Sequence, residues 1–295
     1  MADVGMPAEA FSGDQGARAA NRWLGNSVMD ETGPGRAREI RPDVRLSVIV
    51  PAYNEERSIT VVVRALLDVP YQCPVEIVVV DDGSSDLTAV KLKEFDDPRL
   101  KIHRHHSNKG KGAAVVTGIR NATGTYALIF DADLEYDPCD IPKLVAPVQR
   151  DKARVVYGSR IHGDHTAFQS LKYALGGRLT TVYANILYNA YLKDLHTCLK
   201  LLPLDLAREL PLTENGFGLD TEITALILAL GVRPLEVPVS YYGRTSGEGK
   251  KLTWRHGVEC LWVLTRVRLR QRSTVDDRWA GYHRTDEVVV DREAA

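Results

Sequence analysis

The sequence predicts an α/β fold, a mostly parallel sheet flanked by helices, and three observations carry that prediction. Apolar, β-branched runs alternate with helical patterns along residues 45–272, which implies parallel strands joined by crossover helices. The runs are nearly continuous in their hydrophobicity, as strands buried on both faces are. Polar and glycine-rich residues collect directly after them, where a sheet of this kind places its ligand crevice.

The elements follow in order. Leu46-Ser47-Val48-Ile49-Val50 reads as a strand stopped by Pro51, and an amphipathic helix is expected from Ser58 to Leu67. Val75–Val80 reads as a second buried strand ending in Asp81-Asp82-Gly83-Ser84-Ser85; Ser84, Ser85 and Asp86 are candidate caps for the next helix. A short strand at Leu100–His103 leads through Asn108-Lys109-Gly110-Lys111-Gly112 into an Ala-rich helix, Ala113–Ala122. Tyr126–Phe130 then runs into Asp131-Ala132-Asp133. A closing helix over residues 252–272 combines Trp254, Val258, Leu261, Trp262, Val263 and Leu264 with Arg255, Arg266, Arg268, Arg270 and Arg272.

The chain has 295 residues, with 38 Lys+Arg against 39 Asp+Glu and a formal net charge of −1. That balance argues against electrostatic capture of nucleic acid as the main activity. Cys73, Cys139, Cys198 and Cys260 form no C-x-x-C pair, which points to reduced thiols in a cytosol rather than a disulfide framework or a zinc site. No apolar run approaches the ~18–20 residues of a membrane span, and the N-terminus lacks the apolar block of a signal peptide. The expectation is a cytoplasmic protein. Residues 1–44 read as a disordered tail, 45–272 as the folded domain and 273–295 as a flexible tail.

The strand ends hold the chemistry. Asp131, Asp133 and Glu135 crowd like charge at the tip of a buried strand, so a cation is their natural partner, and oxygen-only ligation suits Mg²⁺ or Mn²⁺. The bland alternative is a solvated loop with helix-capping acids, since Asp137-Pro138 could begin a helix. Of the second acidic pair, Asp81 could cap a helix, while Asp82 could accept a hydrogen bond from a nucleobase or ribose. Tyr53 offers a stacking face and Glu55 an acceptor. The Gly110/Gly112 loop offers backbone N–H groups and two lysines, Lys109 and Lys111, to an anion, or is simply a tight turn. Alternating His103, His105 and His106 could bind metal, but a solvated strand edge suits them better. Cys198 reads as a small buried thiol.

Taken in order, Val48-Ile49-Val50-Pro51-Ala52-Tyr53-Asn54-Glu55, Val80-Asp81-Asp82-Gly83-Ser84, Asn108-x-Gly110-x-Gly112-Ala113 and Asp131-Ala132-Asp133 resemble a family 2 glycosyltransferase of the Rossmann-like GT-A fold. Within that family the chain is most similar to polyprenyl-phosphate (dolichol-phosphate-type) sugar synthases. This rests on Asp131–Glu135, Tyr157-Gly158-Ser159-Arg160, Asp194-x-x-Thr197-Cys198-x-Lys200, Gly216-Phe217-Gly218-x-x-x-Glu222 and Arg244-x-x-Gly247-x-Gly249-Lys250. The resemblance implies that Pro51, Tyr53, Glu55 and Asp82 hold the nucleoside of a sugar nucleotide. Asp131, Ala132 and Asp133 would contact its diphosphate, with Asp133 and Glu135 on the metal. Such synthases often carry Gln where Glu135 stands; Glu keeps an oxygen ligand and adds a negative charge. Arg160, Arg244 and Lys250 would bind phosphates, and Gly243–Gly249 would form a loop over the donor.

The resemblance further implies inverting transfer of a hexose from a UDP- or GDP-sugar to polyprenyl phosphate at the cytoplasmic membrane face. A lipid monophosphate nucleophile arrives ionised and needs no base, whereas a soluble or saccharide hydroxyl acceptor requires one, for which Asp220 and Glu222 are the candidates. A sugar-nucleotide nucleotidyltransferase is a more remote reading, because such enzymes place a Gly-rich basic loop where Pro51-Ala52-Tyr53-Asn54-Glu55 stands. A non-catalytic binding module is disfavoured because every acid is in place. The helix over 252–272 suits either peripheral contact with an anionic membrane or docking on the core.

Overall fold

The computed structural model describes residues 43–161, 166–167, 171–243 and 254–270. The tails expected at 1–44 and 273–295 lie outside the described residues except for Asp43 and Val44, and Val44 is already buried.

Seven strands form the main sheet: β1 (Leu46–Ala52), β2 (Val75–Asp81), β3 (Leu100–Arg104), β4 (Tyr126–Ile129), β5 (Val156–Ser159), β7 (Lys200–Pro203) and β8 (Leu235–Pro238), in the order β3-β2-β1-β4-β7-β5-β8. All neighbours run parallel except β7, which is antiparallel to both β4 and β5. A separate parallel pair joins β6 (Thr166–Ala167) to β9 (Tyr241–Tyr242). The helices are α1 (Ile59–Asp68), α2 (Thr88–Leu92), α3 (Lys111–Asn121), α4 (Ile141–Gln149), α5 (Leu171–Tyr188), α6 (Leu204–Glu209), α7 (Leu219–Ala229) and α8 (Trp254–Arg270).

Strand alternation divides the core into two layers. Val48 and Val50 of β1 point to one face and pack with Val62, Val63 and Leu66 of α1 and Ile141, Leu144 and Val145 of α4. Ile49 points to the other face, among Val115 and Ile119 of α3, Leu219 and Ile223 of α7, and Val263 and Leu264 of α8. Helix α1 forms because its apolar residues Ile59, Val62, Val63 and Leu66 recur at the spacing of one helical face. Gly118 lets α3 lie directly on β1, since a Cβ there would collide with Ile49 Cγ2. Removing a side chain such as Ile49 from this double-sided packing would cost about 2–5 kcal/mol.

Two local expectations are corrected. Pro51 does not stop β1; it sits in register with Val80 of β2. The carbonyl of Ile49 bonds to Phe130 and that of Ala52 to Asp82. The missing N–H of Pro51 therefore faces the β4 side, beyond the end of that strand, where no ladder bond is lost. Of the candidate caps, Asp86 alone bonds to the start of α2, taking the Thr88 N–H at 2.9 Å. Ser84 and Ser85 instead join the end of β2 to Asn54: Asn54 N donates to Ser84 Oγ and Ser85 N to Asn54 Oδ1, each at 2.9 Å.

Candidate active site

The carboxyl ends of β1, β2 and β4 gather Tyr53, Glu55, Asp82, Asp131, Asp133 and Glu135 on one edge of the sheet. Because β7 is antiparallel, its first residue, Lys200, arrives at that same edge. A cavity of about 220 Å³ between α3 and α6, lined by Val116, Ile119 and Arg208, lies at the opposite end of α3 from Lys111. It has no part in this site.

The acids at the end of β2, Asp81 and Asp82, are engaged by protein partners. Asp81 takes the Ser84 N–H at 2.9 Å and pairs with Arg104 Nε at 3.0 Å. Asp82 is buried; it accepts from Lys109 N and Gly110 N at 2.9 and 2.7 Å and meets His105 Nδ1 at 2.6 Å. His105 in turn reaches Thr117 Oγ1 at 2.9 Å. This histidine is packed inward, against the expectation of a solvated edge, although β3 is indeed the edge strand. Its place just before the glycine loop was the available signal.

That loop is not an anion cradle in this arrangement. The N–H groups of Lys109 and Gly110 go to Asp82, and Gly112 N donates to the Asn215 carbonyl at 2.7 Å. The glycines are required by close backbone approach: a Cβ on Gly110 would collide with Asn215 O, and one on Gly112 with Glu214 O. Gly110 also has φ +98°, a left-handed conformation. The turn leads directly into Lys111, the first residue of α3.

Lys111 Nζ lies 2.9 Å from Asp131 and 3.0 Å from Asp220 at the start of α7. The buried Lys200 approaches Asp220 from its other side at 3.7 Å, while donating to the carbonyls of Leu195 and Thr197. The result is an alternating row, Asp131–Lys111–Asp220–Lys200. Burial pulls the Lys111 ammonium down, but Asp131 and Asp220 outweigh it and hold it well above the usual lysine range. Burial pushes Asp220 up, and the two lysines more than reverse it, so its carboxyl stays below the usual range. Lys200 is lowered, chiefly by burial. Sequence reasoning missed Lys200 as a site residue.

Asp133 and Glu135 form a second group. Asp133 Oδ1 accepts from Glu135 N at 3.2 Å, and Glu135 Oε2 accepts from Tyr241 Oη at 2.6 Å. Among the described residues no three carboxylate, imidazole or thiol side chains converge as a metal cage. Of the expected trio, Asp131 is paired with Lys111 in this arrangement. The remaining donor set, two partly exposed carboxylates, fits a Mg²⁺- or Mn²⁺-type ion, which is commonly held by one or two carboxylates plus substrate phosphates.

Two other candidates, Arg160 and Glu222, have partners outside the Lys111 row. Arg160 is clamped by Asp194 through two bonds of 2.7 Å and lies 4.9 Å over the Tyr241 ring. Glu222 is buried on the far side of α7's first turn, where it accepts from Thr213 N and Glu214 N at 2.8 Å and pairs with Arg266 at 3.1 Å. It anchors residues 213–214 and does not join the Lys111 row. Arg244 and Lys250 lie outside the described residues. Asp137 is the helix cap that its bland reading foresaw, taking Cys139 N at 2.9 Å. The four cysteines are unpaired thiols.

Acids and a lysine gathered at the carboxyl edge of a mostly parallel sheet stand where sheets of this kind bind their ligands. The profile described as Glycosyl transferase family 2 matches residues 47–199, and the chain belongs to that family. It is 35% identical over 136 residues to UDP-N-acetylglucosamine–dolichyl-phosphate N-acetylglucosaminyltransferase of Methanococcus voltae, covering 40% of this chain and 53% of that one. It is 34% identical over 118 residues to dolichol-phosphate mannosyltransferase of Pyrococcus furiosus, covering 40% and 33%. The chain thus spans about half the length of these relatives, or less. Glucosyl-3-phosphoglycerate synthase from Mycobacterium tuberculosis in complex with uridine diphosphate superposes with a TM-score of 0.59 at 17% identity, covering 81% of this chain and 86% of that one. The same enzyme with Mn²⁺, UDP-glucose and phosphoglyceric acid also gives 0.59 at 17% identity, covering 81% and 85%. These likenesses establish the GT-A fold.

Proposed function

We propose that the protein transfers a hexose, with inversion, from a UDP- or GDP-sugar to polyprenyl phosphate at the cytoplasmic face of a membrane. The observation that carries this is the row Asp131–Lys111–Asp220 beside Asp133 and Glu135 at the carboxyl edge of a family 2 sheet. The named relatives that act on dolichyl phosphate support the acceptor class.

On this reading Pro51, Tyr53, Glu55 and Asp82 serve the nucleoside, Asp82 by holding the loop on which Lys111 stands. Asp131 and Ala132 line the diphosphate, and Asp133 and Glu135 hold a Mg²⁺ or Mn²⁺ ion. When bound, such an ion stabilises the negative charge that grows on the leaving nucleoside diphosphate; solved neighbours crystallised with Mn²⁺ are consistent with it. Lys111, fixed in place before the donor arrives, adds a positive charge at the same point without reorganisation. Arg160, Arg244 and Lys250 remain the proposed phosphate ligands.

Asp220 supports a phosphate rather than a hydroxyl acceptor. Its carboxylate is held ionised by Lys111 and Lys200, which makes it a weak base near neutral pH. The second candidate base, Glu222, faces Arg266. An ionised lipid phosphate needs neither.

A membrane face is available on the α5–α8 pair. One side of α8 docks on the core through Val263, Leu264 and Val267, while Val258, Trp262 and Leu269 are exposed. On α5, Leu175, Leu179, Val182 and Ile186 recur at helical spacing and are also exposed, Ile186 at 77%. Arg268 and Arg270 close the last turn of α8. An apolar face with a basic end suits an anionic interface. No helix among the described residues is long and apolar enough to cross a membrane.

The test is nucleoside diphosphate release from a panel of UDP- and GDP-sugars with Mg²⁺ or Mn²⁺, with and without polyprenyl phosphate in detergent. Release from one donor only in the presence of the lipid phosphate is expected. Release with soluble alcohols instead would overturn the acceptor assignment.

A further inference from the structure

We propose that Tyr241 is a positioning residue of the cation site, holding Glu135 in the orientation in which it ligates a divalent metal. The inference rests on the reading of Asp133 and Glu135 as the cation's carboxylates. A glutamate on a loop rotates about three side-chain bonds, and ordering it has an entropic cost. A ligand already ordered by its neighbours does not meet that cost when the metal binds.

Glu135 is ordered at both ends. Its carbonyl accepts from Tyr242 N at 2.8 Å, and its Oε2 accepts from Tyr241 Oη at 2.6 Å. An antiparallel bridge between Tyr136 and Tyr241 brings the two segments together. Tyr241, although 106 positions away in sequence, is itself immobilised. It is 3% exposed. The edge of one ring meets the face of the other between Tyr136 and Tyr241, with centroids 5.3 Å apart. The Arg160 guanidinium lies 4.9 Å over the Tyr241 ring, and Asp194 fixes that guanidinium through two bonds of 2.7 Å. A path of direct contacts, Asp194–Arg160–Tyr241–Glu135, therefore ends on a proposed metal carboxylate. Hydrogen bonds that orient ligating carboxylates in this way tune metal affinity.

This assigns a purpose to Arg160 that phosphate binding alone leaves unexplained: its guanidinium supports the aromatic ring that directs Glu135.

The test titrates Mn²⁺, followed by its electron paramagnetic resonance signal, into the full-length protein with UDP or GDP present. Tyr241→Phe keeps the ring contacts and removes only the hydroxyl. It is expected to weaken Mn²⁺ binding about 10–100-fold, with the thermal midpoint little changed, and its turnover should recover as Mn²⁺ is raised. Glu135→Asp, which withdraws the carboxylate from the hydroxyl while leaving the buried tyrosine intact, should weaken binding comparably. In the Tyr241→Phe/Glu135→Ala double variant the loss should be no greater than in Glu135→Ala alone. Wild-type affinity in Tyr241→Phe and Glu135→Asp, with affinity lost in Glu135→Ala, would overturn the role of Tyr241 and leave the cation site standing. Wild-type affinity in Glu135→Ala and Asp133→Ala would remove the cation site and this inference with it.

Discussion

Lys111 and Asp220 stand 109 positions apart in the chain and meet at 3.0 Å. The contact ties the start of α3 to the start of α7 and completes a bridge to Asp131, itself 20 positions from Lys111. Lys111→Met should leave two carboxylates without their shared ammonium. Breaking a buried pair costs about 3–5 kcal/mol, and loss of a preorganised cation should lower transfer about 10²–10³-fold. Chemical denaturation and nucleotide release read the two effects separately; a variant as active as wild type would exclude Lys111 from the site.

The glycine loop predicts a sharp contrast between neighbouring substitutions. Gly112→Ala would drive a Cβ into the Glu214 carbonyl, whereas Gly216→Ala meets nothing within 4 Å. Gly112→Ala is expected to destabilise by more than about 3 kcal/mol, and Gly216→Ala by less than about 1 kcal/mol. Paired urea titrations measure both.

Glu222 and Asp220 share the first turn of α7 but should fail differently. Glu222→Gln weakens the anchor to residues 213–214 and Arg266, so stability should fall by about 1–3 kcal/mol while the pH–rate profile of the folded fraction keeps its shape. Asp220→Asn should reduce turnover through Lys111. A pH–rate profile that loses its basic limb in Glu222→Gln would restore Glu222 as a general base.

His196 makes stability depend on mild acid. Burial first, and then the Arg160 charge, lower its pKa from 6.5 to about 4, against the opposing pull of Asp194. The unfolded chain therefore takes up a proton below pH 6.5 while the folded protein does so only near pH 4. Stability from this group is intact above 6.5 and declines as pH falls through that window, by about 1–3 kcal/mol. The carboxyls of Asp194 and Asp220 are lowered too, but from a starting value of 3.8, so their contributions persist through this range and are lost only at lower pH. His196→Gln should flatten the slope between pH 6.5 and 4 in urea titrations.

Much of this arrangement was legible in the residue order. The strands up to β4 were readable because each is a buried apolar run, and Asp131, Asp133 and Glu135 because acids directly after such a run are conspicuous. The reach of Lys111 was not, because glycines flanking a lysine look the same whether their N–H groups face a ligand or pack against Asn215. Lys200 was hidden for a topological reason. It opens its strand, and only an antiparallel β7 brings a strand's first residue to the carboxyl edge. The contacts of Glu222 were not legible either, because sequence gives its spacing from Asp220 but not the opposed directions in which two residues of one helical turn project.

The bare apolar stripe on α5 and α8 also governs how the molecule behaves in a tube. With Ile186 at 77% and Trp262 at 63% exposed and a net charge of −1, long-range repulsion between copies is weak. Colloidal association should set in as the protein is concentrated in plain buffer and recede when mild detergent coats the stripe. Light scattering across a dilution series would register it before any assay of transfer is run.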